Sequence, residues 1–253
     1  MRILDFAIEQ MSFCQPDTAR RLVEFLQTFP LEPRQSITVL YEDNHCLAVE
    51  KPARVLTMGD QTGESTLVDL ARDYLREKYQ KPGNVFVGVV HRIDRPVSGV
   101  VLFARTSKGA SRLSEQFRVH SIEKSYLALV EGSVSMKQGE LRDQIVKDRS
   151  RNVATVSQDG DGKDCVLLFE RLERYGRFTL LRIQPLTGRS HQIRVQLSSR
   201  GWPIAGDGKY GSQTMLDGFI ALHAASLTFD HPTTKQRITV SSQIPHNWNR
   251  LRS

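Results

Sequence analysis

From position 37 onward the chain alternates short apolar runs, rich in valine, isoleucine, leucine and phenylalanine, with polar breaks. Runs of four to eight β-branched and aromatic residues bounded by such breaks predict strands, here at 37–41, 46–50, 85–90, 99–104, 125–131, 153–156, 165–171, 178–184, 221–229 and 237–240. Three segments follow a helical period instead. Leu67, Leu70, Tyr74 and Leu75 share one face of a helix over 66–79 with Ser65 as its N-cap, and Ala110, Leu113 and Phe117 share the inner face of a second helix after Ser107. A third helix is predicted over 191–200, capped by Ser190 and stopped by Gly201 and Pro203. In it Ile193 and Leu197 lie on one face and His191, Arg194 and Ser198 on another, so Arg194 is either an exposed arginine or one directed into a cleft. The charged stretch 137–164, with Gly160 and Gly162, reads as an exposed hairpin or loop region. Strands without regular helical crossovers predict a mixed α+β fold rather than βαβ units.

Ahead of this pattern, Ala19, Leu22, Val23 and Leu26 place a helix over 17–29, ended by Pro30 and Pro33. Residues 1–36 are therefore expected to be an N-terminal helical extension to a main domain spanning 37–253. The 39% hydrophobic content of 253 residues is enough for a proper core, and no window approaches the length of apolar chain that a membrane span needs. No membrane association and a cytoplasmic location are the expectations. Cys14, Cys46 and Cys165 are isolated, without the paired spacing of a zinc site or the even count of a disulfide framework, and are expected to be reduced and buried.

Lys and Arg number 35 against 28 Asp and Glu, a formal charge of +7 that fits a polyanionic partner. Arg92, Arg95, Arg105, Lys108, Arg112 and Arg118 are concentrated around one segment, where they would suit phosphate contacts. That segment, residues 91–99, reads His-Arg-Ile-Asp-Arg-Pro-Val-Ser-Gly and sets Asp94 between two arginines just before the apolar run Val100 to Phe103. Pro96 and Gly99 shape the turn into the strand, and adjacent positive charge favours an ionised carboxylate, the form a nucleophile needs. A surface ion pair between Asp94 and Arg92 or Arg95 is the competing explanation.

The segment resembles the catalytic stretch of the RluA-like branch of RNA pseudouridine synthases, His-Arg-Leu-Asp-Arg-x-Thr-Ser-Gly, with Ile93 for the leucine and Val97 for the threonine. Three further blocks are similar to that family in the same order: 37–52 ending in Lys51-Pro52, 124–132 with Tyr126, and 186–195 with Arg194, followed by 203–207 and Tyr210-Gly211. The resemblance spans about residues 37 to 245 and implies a pseudouridine synthase fold: a mixed, mostly antiparallel sheet with flanking helices and a central catalytic cleft in 37–253. It implies an isomerase that turns specific uridines of tRNA or ribosomal RNA into pseudouridine, without cofactor or metal, with Asp94 as nucleophile, Arg194 as its ionic partner and Tyr126 stacking on the base and helping to remove the C5 proton. Arg92, Arg95, His91, Lys51, Arg189, His191 and Leu222 are the expected substrate and RNA contacts, with Arg92 a candidate to fill the space of an extruded nucleotide, His91 more often structural and Leu222 apolar packing. A monomer is expected. Two other functions compete. A non-catalytic RNA-binding or RNA-folding protein would use the same basic cleft without requiring Asp94, Tyr126 and Arg194 together. A metal-dependent hydrolase built from His91, Asp94, His191 and His223 lacks the usual His-Glu spacings and any acidic cluster.

Overall fold

The computed structural model describes residues 37–59, 63–148 and 150–252, so the helix expected at 17–29, the extension 1–36 and Cys14 lie outside the described residues. Eleven strands form one sheet: β1 (Thr38–Glu42), β2 (Cys46–Lys51), β3 (Gly88–Val89), β4 (Ser98–Ala104), β5 (Glu123–Glu131), β6 (Gln138–Asp148), β7 (Val153–Val156), β8 (Lys163–Tyr175), β9 (Phe178–Pro185), β10 (Leu222–Asp230) and β11 (Arg237–Ser241). The main path runs β1-β2-β4-β10-β5-β9-β8-β6-β7, with β11 on β10 and β3 on β4. All named pairings are antiparallel except β4 with β10. Among the described residues no helix is long and apolar enough to cross a membrane.

The period-2 pattern of β2 and β4 builds two layers. Leu47, Val49, Val101 and Phe103 face one core, which α1 (Leu67–Lys78) covers with Leu67, Val68, Ala71 and Leu75. Cys46, Ala48, Val100, Leu102 and Ala104 face the other, covered by Leu113 of α2 (Ser107–Arg118) with Ala110 and Phe117 beside it. The cap of α1 is Thr66, not Ser65: its hydroxyl pairs reciprocally with Asp69, because a capping box satisfies two backbone donors where a lone serine satisfies one. The α2 helix has a simpler cap, the Thr106 hydroxyl accepting the Gly109 N–H at 3.0 Å. Cys46 and Cys165 are buried free thiols, pushed up by burial to about 12 and about 11, and neither is a thiolate.

Three expectations change. The strand at 85–90 shrinks to Gly88–Val89, and Val85 and Val87 reach the core from irregular backbone. The stretch 137–164 is largely strand: β6 and β7 form a hairpin whose Leu141, Ile145 and Ala154 are buried, so it is not simply an exposed region. The third helix, α3 (Gln192–Ser198), is shorter than 191–200 and starts at a left-handed His191 with no side-chain cap from Ser190. Ile193 and Leu197 join the first core while Val195 packs with Ile145, Ala154, Cys165 and Tyr210 on the opposite side. Seven residues are too few for a helix to persist alone, so burial on both sides holds α3 in place. A short fourth helix, α4 (Asn249–Arg252), follows Trp248, which is itself buried.

The parallel contact of β4 and β10 pairs Ser98 with His223 and Gly99 with Ala224. Gly99 has φ +118°, and a Cβ there would lie 2.3 Å from the Ala224 carbonyl oxygen and 2.6 Å from its nitrogen. Only glycine admits that approach. Gly99→Ala is expected to lower stability by about 3 kcal/mol or more, read from urea denaturation at unchanged slope; a variant as stable as the parent chain would refute the close approach.

Candidate active site

The segment leading into β4 is held by its own carbonyls. Ile93 O accepts the Thr57 hydroxyl at 2.9 Å, Asp94 O accepts the Val97 N–H at 3.0 Å, Arg95 O accepts the Arg54 N–H at 2.8 Å, and Pro96 O accepts the Ile220 N–H at 3.2 Å. Four consecutive carbonyls thus each have a donor, three of them from elsewhere in the chain and one from the turn itself, which leaves the Asp94 side chain little backbone freedom. Lys51 completes this brace. Its ammonium is 0% exposed and donates to Pro52 O, Val55 O and Arg95 O at 3.0, 2.7 and 3.1 Å. Burial pulls it down to about 7, against the opposing pull of the Asp94 charge. Lys51 therefore corrects the expectation of an RNA contact: its three donors are spent on carbonyls beneath the site.

Arg194 comes to Asp94 from 100 residues further along the chain, carried by α3. Its Nη1 donates to Asp94 Oδ2 at 3.1 Å, while Nε and Nη2 grip the two oxygens of Asp207 at 2.7 and 2.8 Å. Asp207 is 2% exposed and Arg194 5%. The guanidinium also lies over the Tyr210 ring, 4.8 Å from its centroid. The competing ion pairs of Asp94 with Arg92 or Arg95 are not made: Arg95 turns away to Glu64 at 2.7 Å and to Arg54 O at 3.0 Å, and does not line the cleft.

Above Asp94 opens a cleft of about 530 Å³ whose lining includes His91, Arg92, Tyr126, Arg189, His191 and Leu222 with Asp94 and Arg194. Eight of the ten residues expected at a site, Asp94 and Arg194 among them, thus line one cleft; Arg95 and Lys51 do not. Burial, and secondarily the Asp94 charge, raises the Tyr126 phenol well above its ordinary range, so it carries its proton at neutral pH. His91 accepts the Leu102 N–H on Nε2 at 2.9 Å and stacks on Phe117, ring centroids 4.6 Å apart. Burial, reinforced by the Lys124 charge, drives it down to about 3, so it is a neutral wall of the cleft. Arg92 and Arg189 are exposed at the rim. Of the other basic residues near the segment, Arg118 lines the cleft, but Arg105 is buried on Glu42 at 3.0 Å and Arg112 donates to Pro232 O at 2.8 Å, so neither is free for phosphate.

Two site residues were not singled out from the sequence. Asp207 carries an ordinary Gly-Asp signal whose meaning depends on its contact with Arg194. Lys124 is two residues before Tyr126 on β5, and the strand period puts both on one face, a signal that was present. Its ammonium reaches Thr187 O at 3.3 Å, and burial lowers it to about 8.

No metal centre follows from the histidines. His91 spends Nε2 on Leu102 N–H and the buried His223 shares Nδ1 with Ser98 at 2.9 Å, so those lone pairs do not converge on Asp94. Among the described residues Asp43, Cys46 and His231 do approach one another. His231 Nδ1 accepts the N–H groups of Thr233 and Thr234 at 3.2 and 2.9 Å, so the ring proton sits on Nε2, 2.8 Å from Asp43 Oδ2, and offers no lone pair to an ion.

Removing Arg194 would leave the Asp207 carboxylate buried without its partner. Arg194→Met is expected to lose about 3–5 kcal/mol of stability, and Arg194→Met with Asp207→Leu to recover most of it. Chemical denaturation of the three proteins checks this; a double variant no more stable than the single one would refute the coupling.

Residues 45–199 match the model of the RNA pseudouridylate synthase family. The uncharacterised RNA pseudouridine synthase YlyB of Bacillus subtilis is 35% identical over 220 residues, covering 85% of this chain and 71% of that protein. The tRNA pseudouridine synthase C of Haemophilus ducreyi is 33% identical over 85% of this chain and 94% of its own. Ribosomal large subunit pseudouridine synthase C of Escherichia coli is 34% identical over 84% and 68%. The fold is also that of human RNA pseudouridylate synthase domain containing 4, with a TM-score of 0.71 at 21% identity over 85% of this chain and 93% of that one. The chain belongs to the RNA pseudouridylate synthase family and is an RNA pseudouridine synthase, an isomerase.

Proposed function

We propose that this protein converts specific uridines of tRNA or ribosomal RNA to pseudouridine with Asp94 as the nucleophile. The observation that carries this is the contact of Asp94 with Arg194: a carboxylate at the mouth of a cleft, held by a guanidinium that is itself locked on buried Asp207. The reaction detaches uracil from C1′, turns it and rejoins it through C5, so it has no net redox change and gains no group. A carboxylate that adds to C6 or to C1′ breaks this into steps. Both atoms are hidden in a stacked helix, and the nucleotide must be extruded or taken from an unstacked loop. A cleft of about 530 Å³ suits such a base. Tyr126 and Leu222 supply its stacking and apolar walls, while Arg92, exposed at the rim, fills the space the base leaves or clamps a phosphate. The protonated Tyr126 phenol favours stacking and hydrogen bonding over action as a phenolate base on the C5 proton.

Asp94→Asn keeps the shape of the side chain and removes the nucleophile. It is expected to slow single-turnover tritium release from 5-tritiated tRNA or ribosomal RNA by about 10⁴-fold or more while gel-shift affinity stays near that of the parent chain. Near-normal release would sink the assignment of Asp94; activity absent from both proteins with binding retained would favour a non-catalytic RNA-binding protein.

Lys124 supplies a pH signature. Its ammonium is charged below about 8 and neutral above it, so a phosphate contact made by Lys124 weakens as pH rises through that point. RNA affinity is expected to fall about tenfold between pH 7 and 9.5, and Lys124→Gln to bind weakly with that step flattened. Fluorescence anisotropy over this range checks it; an unchanged step in the variant would assign the titration elsewhere.

A further inference from the structure

The two oxygens of Asp94 are not equivalent. Oδ2 takes Arg194 Nη1 at 3.1 Å and lies 3.8 Å from His191 Nε2, whereas among the described residues Oδ1 accepts no hydrogen bond. One donor alone leaves an aspartate carboxylate free to turn, because its last torsion is broad and nearly two-fold. A second donor on the same oxygen fixes which oxygen faces the cleft.

His191 is built to be that donor. Its backbone is left-handed, φ +56° and ψ +15°, a conformation that a non-glycine residue keeps only where the surroundings enforce it. Gln192 helps to enforce it, accepting the Thr187 hydroxyl at 2.8 Å and the Arg189 N–H at 3.1 Å while donating to Val166 O at 3.1 Å. The ring is then oriented by Tyr210. The Tyr210 hydroxyl accepts the Ala154 N–H at 2.9 Å and so turns its own hydrogen to His191 Nδ1, 2.7 Å away. With Nδ1 as acceptor the imidazole proton belongs to Nε2, the atom on the Asp94 side. The same tyrosine underlies the Arg194 guanidinium. One residue therefore sets both donors to Asp94.

We propose that His191 is a positioning residue for Asp94: a neutral imidazole whose Nε2–H closes on Oδ2 when RNA fills the cleft, so that Arg194 and His191 hold one oxygen and Oδ1 attacks. This rests on Asp94 being the nucleophile. Whether attack is at C6 or C1′, Oδ1 forms the new C–O bond and Oδ2 becomes the ester carbonyl oxygen. At C6 the C5=C6 π pair shifts to leave an enolate on O4, and at C1′ the N1–C1′ bond breaks with its pair leaving on the uracil anion, so in either case the carboxylate's negative charge passes to the pyrimidine. The two N–H groups remain donors to Oδ2 throughout. His191, expected from the sequence to contact RNA, acts through Asp94 instead.

The test compares His191→Phe, which keeps a ring without a donor, His191→Gln, whose amide N–H reaches a similar place, and Tyr210→Phe, which releases the tautomer. Single-turnover tritium release from tritiated tRNA and ribosomal RNA is measured with gel-shift affinity, and thermal melts report folding. His191→Phe is expected to be slower by about 10- to 100-fold, the fold-change of one hydrogen bond to a charged group, with affinity nearly unchanged. His191→Gln should recover part of the rate and Tyr210→Phe should fall between. Should His191→Phe fail to fold, a rate loss at constant affinity in Tyr210→Phe, with His191→Gln active, supports the role. Parent-like turnover in His191→Phe, or a glutamine variant no faster than a folded phenylalanine variant, overturns it while Asp94→Asn remains inactive. A parent chain inactive on both RNAs overturns the nucleophile assignment itself, and this inference with it.

Discussion

A guanidinium taken out of water costs several kcal/mol, and the chain bears that cost at Arg194 by surrounding it. Burial alone would pull its proton off more easily, but the hydrogen bonds and charge of Asp207, followed by those of Asp94, more than reverse the effect. The two carboxylates divide the work. Asp207, at 2.7 and 2.8 Å, takes the two-pronged grip that makes the cation tolerable in the interior. Asp94 takes one N–H of Nη1 and keeps nearly a third of its side chain exposed, which leaves it open to the cleft. Two negative charges against one positive mean that the group is not neutralised as a whole. The surplus sits on the member that faces the cleft.

The fold serves that arrangement by bringing a braced loop and a braced helix together. On one side the carbonyls of residues 93–96 are each taken by a separate donor, and Lys51 adds a buried ammonium beneath them. On the other side α3 is wedged between two cores and cannot rotate without exposing Ile193 and Leu197 or Val195. Between them the parallel contact of β4 with β10 depends on Gly99, whose missing Cβ lets the strand that follows Asp94 meet the strand that begins with Leu222. The distance from Asp94 to Arg194 is therefore fixed by tertiary packing at both ends rather than by either side chain's own preference.

What could be read from the sequence follows from this division. β2, β4, α1 and α2 were legible because their apolar periods match the cores they build, and the block at 91–99 stood out by its residue types, a carboxylate between two arginines just ahead of an apolar strand. The bounds of α3 were not. An amphipathic period presumes one wet face, whereas α3 is buried on all sides from Gln192 to Leu197, and its Arg194 and Gln196 donate to Asp207 and Asp143, carboxylates outside the helix. Ser190 looked like a cap by its type alone, but the turn is made by a strained histidine that a propensity rule would reject. Lys51 and Arg95 were misplaced for a related reason. A cation near an active-site motif reads as a substrate contact until the carbonyls of Pro52, Val55 and Arg95, or the carboxylate of Glu64, are seen to occupy it.

The protonation states around Asp94 give the cleft a consistent character. His91 and His191 are both held below their ordinary range, first of all by burial, and the Tyr126 phenol is held above its own by the same cause. At neutral pH these groups are uncharged, and the charge next to Asp94 is the guanidinium of Arg194. On the proposed route through Asp94, a cationic histidine in contact with the carboxylate would stabilise it before reaction and lose that attraction once an ester formed, which would raise the barrier. Neutral donors interact with a carboxylate and with an ester carbonyl more evenly. With Asp94 as the proposed nucleophile, the neutral walls let Arg194 orient it without further quenching, and they leave the attraction of RNA to Lys124 and the exposed arginines at the rim, where a phosphate is bound without adding a charge in contact with Asp94.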